Sequence, residues 1–154
     1  MTECVAQMVE RTLQKRPMVH SITNNVTVND CANIILAAGG SAIMAQDERE
    51  VAEITARSDA LSLNMGALRA QEAMLLAAHA AKRRKRPVIL DPVAAGASRL
   101  RGEMCTRLLE AGLVSVVRGN ASEVWALMTG AQRTLGVEVN ALDQVTEQNL
   151  SESA

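Results

Sequence analysis

The sequence has no Phe and no Tyr among its 154 residues, and a single tryptophan, Trp125. The lack of aromatic platforms counts against stacking recognition of single-stranded nucleic acid. The core has to be built from Ala, Val, Leu, Ile and the eight methionines, which fill irregular gaps. Neither sign of charge is in excess: 16 Lys and Arg oppose 17 Asp and Glu, so no whole-chain field draws the protein to nucleic acid or to an anionic membrane. Cys4, Cys31 and Cys105 are far apart, no CxxC occurs, and His20 and His79 are distant from each other. Zinc-site and disulfide-framework readings fall away, leaving incidental thiols in a reducing compartment. No uncharged apolar run is long enough to span a bilayer. The first 16 residues carry Glu3, Glu10 and Arg11 and do not resemble a signal peptide. The expectation is a soluble, cytoplasmic protein. GxGxxG and GxxxxGK[ST] are both absent, so a dinucleotide fingerprint or a P-loop is not expected.

What is present is alternation. Val5, Met8, Val9 and Leu13 recur at helical spacing and stop before Pro17. Further helices are predicted from Val28 to Leu36, closed by Gly39–Gly40, from Asp47 as N-cap through Val51 and Ile54, from Ala70 into the basic run Lys82–Arg86, over Leu100–Ala111, and over Ala121–Met128. Short apolar runs between them read as strands: Met18–Ile22, Ala42–Met44, Ala60–Leu63, Val88–Leu90 and Leu113–Val117. Continuous apolar strands alternating with amphipathic helices predict an α/β fold with a mostly parallel sheet covered on both faces. Residues 1–136 read as the folded part, and 137–154 as a weakly patterned tail. The basic run Lys82–Arg86 reads as a solvated helix end that offsets the helix dipole.

Right-handed crossovers put the C-terminal ends of all five strands on one edge, where open α/β sheets bind ligands. The unusual polar and glycine residues fall there: His20–Asn25, Met44–Gln46, Asn64–Gly66, Asp91–Gly96 and Arg118–Glu123. Asp91 at a strand end suits Mg²⁺ or proton transfer, and equally a turn. Arg118 offers a planar cation to phosphate, and Gly119 permits close backbone approach. Asn120 and Glu123 at i, i+3 suit a hydrated Mg²⁺ or, alternatively, a capping box. The segment from His20 to Asn25 reads first as an Asx-turn into a helix, Met44 as core, and Asn64–Gly66 as a turn or a site of close approach.

Six stretches together resemble the hydroxyethylthiazole kinase family of thiamine salvage, within the ribokinase-like superfamily. They are Val19–Asn25, Asn29–Asn33, Leu36–Met44, Leu63–Leu68, Val88–Ala97 and Arg118–Glu123, in the family's order and at its approximate spacing. The resemblance implies a three-layer ribokinase-like fold, here extending through about five strands. It implies ATP-dependent phosphorylation of 4-methyl-5-(2-hydroxyethyl)thiazole with Mg²⁺, and a homotrimer with active sites near subunit interfaces. By the same resemblance, Asn24, Met44 and Gly66 fall at thiazole-pocket positions. Asp91 and Glu123 fall at the acidic positions that organise Mg²⁺ and the phosphates. Arg118 and Asn120 fall at ATP-facing positions.

The sequence departs from the family in that members continue well past it, into a half that holds an ATP-contacting Thr-Gly strand end and the segment with the anion hole. The sequence contains no Gly-[Thr/Ala]-Gly-Cys segment, whose amides form the family's anion hole, and Cys105 has no Gly-x-Gly before it. Phosphoryl transfer rests on positioning and electrostatic stabilisation. These residues alone are therefore expected to be an incomplete, inactive fragment of a kinase, marginally stable and with an uncovered sheet edge. The other readings are a non-catalytic thiazole-binding module, half of a split enzyme, or a ribokinase-like kinase of another small alcohol.

Overall fold

A computed structural model describes residues 2–130; the expected tail, 137–154, lies outside the described residues. The elements run α1 (Thr2–Lys15), β1 (Met18–Ile22), α2 (Val28–Ala37), β2 (Ser41–Ile43), α3 (Val51–Arg57), β3 (Ala60–Asn64), α4 (Gln71–Arg83), β4 (Val88–Asp91), α5 (Arg99–Glu110), β5 (Val116–Val117) and α6 (Ala121–Thr129). Short 3₁₀ turns at Leu68–Ala70 and Ala95–Ala97 precede α4 and α5. The five strands form one sheet in the order β2-β1-β3-β4-β5, with every pairing parallel.

The order fixes which helix covers which face. The connection from β1 to β2 runs one way along the sheet, whereas β2 to β3, β3 to β4 and β4 to β5 run the other way. Right-handed crossovers then place α2 on one face and α3, α4 and α5 on the opposite one. The core lies on the second face. There Leu61 and Leu63 of β3 and Val88 and Leu90 of β4 point inward, all at most 1% exposed, against Ala73, Met74, Ala77 and Ala81 of α4. Burying one such leucine contributes about 1.5–3 kcal/mol. The run of alanines lets α4 lie close to both the sheet and α3, which answers the shortage of large side chains in the composition.

Helices do occupy both faces, but the cover on the α2 side is partial. Ile89 of β4 and Val116 of the edge strand β5 are 39% and 52% exposed. No residue of α2 is fully buried, and Val5, Met8, Val9 and Leu13 of α1 are exposed. Among the described residues, β2 and β5 are the two edge strands of the sheet.

Three local expectations are corrected. Leu113–Val117 is a strand only at Val116–Val117, because Leu113 N–H still caps α5 by bonding the Leu108 carbonyl after the left-handed Gly112. Asp47 is not the N-cap of α3, which begins at Val51. Its side chain bonds the Arg49 amide and guanidinium, while its carbonyl accepts from Glu50 and Val51. Finally, β2 ends at Ile43, one residue before Met44.

Candidate functional site

The register of the sheet aligns the polar strand ends. Asn64 and Asp91 are direct neighbours across β3 and β4, and the Asn64 Nδ2 donates to Asp91 Oδ2 at 3.1 Å. The same Asp91 oxygen accepts from Arg118 Nη1 at 3.2 Å, and Arg118 is held just past β5 by its amide bond to the Leu90 carbonyl. On the other side, Asn64 Oδ1 accepts from the Gly66 amide at 2.8 Å and from Asn24 Nδ2 at 3.3 Å. Asn24 Oδ1 in turn accepts from the Val26 and Thr27 amides. The Asx-turn read from the sequence is therefore real, and it aims the other end of the same amide at Asn64. Asn24, Asn64, Asp91 and Arg118, from four strand ends, form one continuous hydrogen-bonded chain across the sheet edge.

Two ends of this chain differ in exposure. The Arg118 side chain is 79% exposed, whereas that of Asp91 is 21% exposed. Burial raises the Asp91 pKa above the ordinary carboxylate value. Arg118 and the Asn64 bond pull it down, and the nearby Glu123 pushes it up.

Glu123 is almost fully buried at the start of α6. Its Oε2 accepts from the Asn120 amide while Asn120 Oδ1 accepts from the Glu123 amide, so the capping box weighed in the sequence is formed. Its Oε1 does something the sequence did not reveal: it accepts from the Ala94 amide at 3.0 Å. Ala94 is left-handed at φ 54°, a conformation that costs a non-glycine residue about 1–2 kcal/mol. A charge-assisted bond from the buried carboxylate offsets that cost. Glu123 thus holds the loop after β4 against the start of α6. Asn120 acts as the helix cap. Gly119 packs closely against both: a Cβ there would lie 3.0 Å from Glu123 Oε2 and 3.1 Å from Pro92 Cγ.

For a divalent cation, the donor set is two carboxylates, Asp91 and Glu123, close enough to influence each other. Among the described residues no three His, Cys, Asp or Glu side chains gather around one point. Both Glu123 oxygens are already taken by the Ala94 and Asn120 amides, and Asp91 Oδ2 by Asn64 and Arg118, so the two carboxylates form no ready inner-shell cage and only contact through an ion's own waters is open to them.

At the Asn24 end, Thr23, Asn24, Asn25, Gln46, Gly66 and Ala67 line an open cavity of about 450 Å³. Of the three residues expected at a thiazole pocket, Asn24 and Gly66 meet here; Met44 does not line the cavity. Gly66 sits so tightly that a Cβ would lie 2.6 Å from Asn64 Oδ1 and 2.8 Å from Asn24 Nδ2. Gln46, not singled out from the sequence, lines the same cavity and donates to the Thr23 carbonyl at 2.6 Å. A second cavity, of about 470 Å³, lies between α5 and α6 and contains no member of the hydrogen-bonded chain.

A parallel sheet with polar residues gathered along the C-terminal ends of its strands makes the chain an open α/β protein. Its fold matches a hydroxyethylthiazole kinase structure from Pyrococcus horikoshii with a TM-score of 0.80 at 36% identity, over 83% of this chain and 51% of that one. The model of the hydroxyethylthiazole kinase family matches residues 9–153. The chain belongs to that family. Among curated relatives, hydroxyethylthiazole kinase of Exiguobacterium sibiricum is 46% identical over 86% of this chain and 52% of its own length. That of Methanosphaerula palustris is 48% identical over 93% of this chain and 55% of its own length. The chain spans about half the length of the curated relatives it matches.

Proposed function

We propose that the strand-edge cleft binds 4-methyl-5-(2-hydroxyethyl)thiazole at the Asn24–Gly66 end and the phosphates of Mg²⁺-ATP at the Arg118 end, in the service of ATP-dependent phosphorylation of the hydroxyethyl arm. One observation carries this: the chain Asn24–Asn64–Asp91–Arg118 runs without a break from the cavity to an exposed guanidinium. The cavity, of about 450 Å³, is lined by the carboxamides of Asn24, Asn25 and Gln46 and has the volume for a small heterocycle. The guanidinium suits phosphate oxygens.

Asp91 and Glu123 are the residues that would hold Mg²⁺ through its waters. When bound, the ion neutralises charge on the phosphates. Asn120 contributes through α6, whose N-terminus it caps and whose first amides favour an anion. Met44 lies one residue past β2 and outside the cavity lining, so it would bear on the pocket only through the backbone that it shares with Ala45 and Gln46. Turnover needs an anion hole, and these 154 residues contain no Gly-x-Gly-Cys segment to form one. Binding without turnover is therefore the behaviour expected of them alone.

A homotrimer fits the apolar side chains left exposed on α1 and α2, where Met8, Val9, Leu13, Ile34 and Leu36 are each more than half exposed. Among the described residues no helix is long and apolar enough to cross a membrane, in keeping with a cytoplasmic enzyme.

Calorimetric titration of the 154-residue chain with the thiazole alcohol tests the reading. Saturable binding that is lost in Asn24→Ala supports it. A folded chain that takes up no ligand at millimolar concentration overturns it.

A further inference from the structure

His20 is fully buried in the middle of β1, yet both of its ring nitrogens are engaged. Nε2 lies 3.0 Å from the Ala45 carbonyl, and Nδ1 lies 2.7 Å from the Thr55 hydroxyl of α3. A carbonyl can only accept, so the Ala45 contact is a hydrogen bond only when the ring proton is on Nε2. In that tautomer Nδ1 accepts from the Thr55 hydroxyl, whose single proton then goes to the ring and not to the Val51 carbonyl 2.8 Å away.

The place where this bond lands is informative. Ala45 lies beyond the end of β2, which pairs only through Ser41–Ile43, so the sheet does not hold Ala45. It sits between Met44 and Gln46, and Gln46 lines the cavity at the Asn24 end. Gln46 reaches back to the Thr23 carbonyl at 2.6 Å. The segment is therefore tied to β1 and its following loop at two points, a buried imidazole and a carboxamide. Thr23 is itself buried and lines the same cavity, so the imidazole and the cavity wall are joined by short, directed contacts.

We propose that His20 is a positioning residue for the thiazole-alcohol cavity: its Nε2–H, donated to the Ala45 carbonyl, fixes the backbone that carries Gln46 onto the ligand. This deepens the proposed function and rests on it for the identity of the ligand. Thr55 orients the ring from behind, so that Nε2 rather than Nδ1 faces the loop. A buried histidine serving only as filler would not need its proton on a particular nitrogen.

Two substitutions separate positioning from packing. In His20→Gln the amide nitrogen reaches as far as imidazole Nε2 and can still donate to Ala45. In His20→Asn it reaches only as far as Nδ1 and cannot. The full chain and both variants are titrated with 4-methyl-5-(2-hydroxyethyl)thiazole by calorimetry, and their melting temperatures are measured. The expected result is that His20→Gln binds within about threefold of the wild type while His20→Asn is weakened by roughly tenfold or more, the scale of one lost buried hydrogen bond. Affinities that simply follow the two melting temperatures, or that are equal in the two variants, overturn the proposal.

Nitrogen NMR of the ligand-free chain provides a readout that does not depend on binding. It is expected to show the His20 proton on Nε2 and a Gln46 amide resonance displaced in His20→Asn but not in His20→Gln. A proton on Nδ1, or a Gln46 amide unmoved in both variants, overturns the proposal. If the wild-type chain takes up no thiazole alcohol, the proposed function fails and the NMR result still decides the role of His20.

Discussion

Asn64 and Asp91 sit side by side on adjacent parallel strands, and the amide of the first donates to the carboxylate of the second at 3.1 Å. That single contact joins two halves of the cleft. Asn64 Oδ1 belongs to the cavity side, with Gly66 and Asn24, and Asp91 Oδ2 belongs to the cationic side, with Arg118. Parallel pairing supplies the alignment without any loop having to find it: once Leu63 pairs with Leu90, the next residues on each strand are brought together.

The tightest point of the cavity side is Gly66. In Gly66→Ala the new methyl would lie 2.6 Å from Asn64 Oδ1 and 2.8 Å from Asn24 Nδ2, and so forces the two carboxamides apart. Thiazole-alcohol binding is expected to weaken by roughly tenfold or more, with a stability loss of about 1–3 kcal/mol from overpacking. Calorimetry and denaturant unfolding measure the two effects. Wild-type affinity in a folded Gly66→Ala would contradict the assignment.

The charged form of the Asp91 carboxyl is disfavoured by its surroundings. Burial raises its pKa above 3.8 in the folded chain, an effect that Arg118 and Asn64 only partly oppose. A carboxyl raised in this way favours folding when protonated. Its contribution is complete below the unfolded value and is lost as pH climbs through the folded one. Asp91→Asn is therefore expected to melt higher than the wild type at pH 7, with the gain shrinking as the pH falls through the raised folded value and gone by 3.8, the ordinary carboxylate value. Thermal melts over a pH series test this, and a variant less stable than wild type at neutral pH would contradict it.

His20 has the opposite dependence. Burial holds its pKa below 6.5, against the pull of the Ala45 carbonyl and the more distant Glu50. The neutral ring is the one the fold prefers, so its contribution is complete above 6.5 and is lost as pH falls from there through the folded value. The drop in melting temperature below pH 6.5 is expected to be shallower in His20→Gln than in the wild type. Equal slopes would show that other groups carry it.

Cys105 lies fully buried in α5, and burial pushes its thiol up to about 12. Almost none of it is thiolate at neutral pH, and the thiolate is the reactive form. Iodoacetamide followed by peptide mapping is expected to leave Cys105 unmodified in the folded chain and to label it only after denaturation. Rapid labelling of the native protein would contradict this.

Much of the fold was legible because its signals are short-range. Strands such as Val88–Leu90 are unbroken apolar runs, and α4 announces itself through alanines at helical spacing. Strand ends were legible for the same reason: Asp91 and Arg118 are the first charged residues after apolar runs. Long-range bonds were not legible. The capping box at Asn120 could be read from an Asn-x-x-Glu spacing, but the second half of the Glu123 carboxylate goes to Ala94, 29 residues away. Asn64 was read as part of a turn, although it is the central member of the chain, because its partners come from β1's loop and from β4. Gln46 was legible only as part of the strand-end segment Met44–Gln46. It matters only because β2 lies beside β1, which brings it to Thr23. Leu113 and Val114 looked like strand because hydrophobicity marks burial, whereas only Val116–Val117 of the proposed run pairs as strand with β4.

The most direct measurement is a nitrogen-resolved NMR titration of the 154-residue chain with 4-methyl-5-(2-hydroxyethyl)thiazole. The expected result is saturable shifts centred on the backbone amides of Asn25, Gln46, Gly66 and Ala67 and on the side-chain amides of Asn24 and Asn64. Shifts confined to the groove between α5 and α6, or no shift at millimolar ligand in a folded sample, would contradict a strand-edge site.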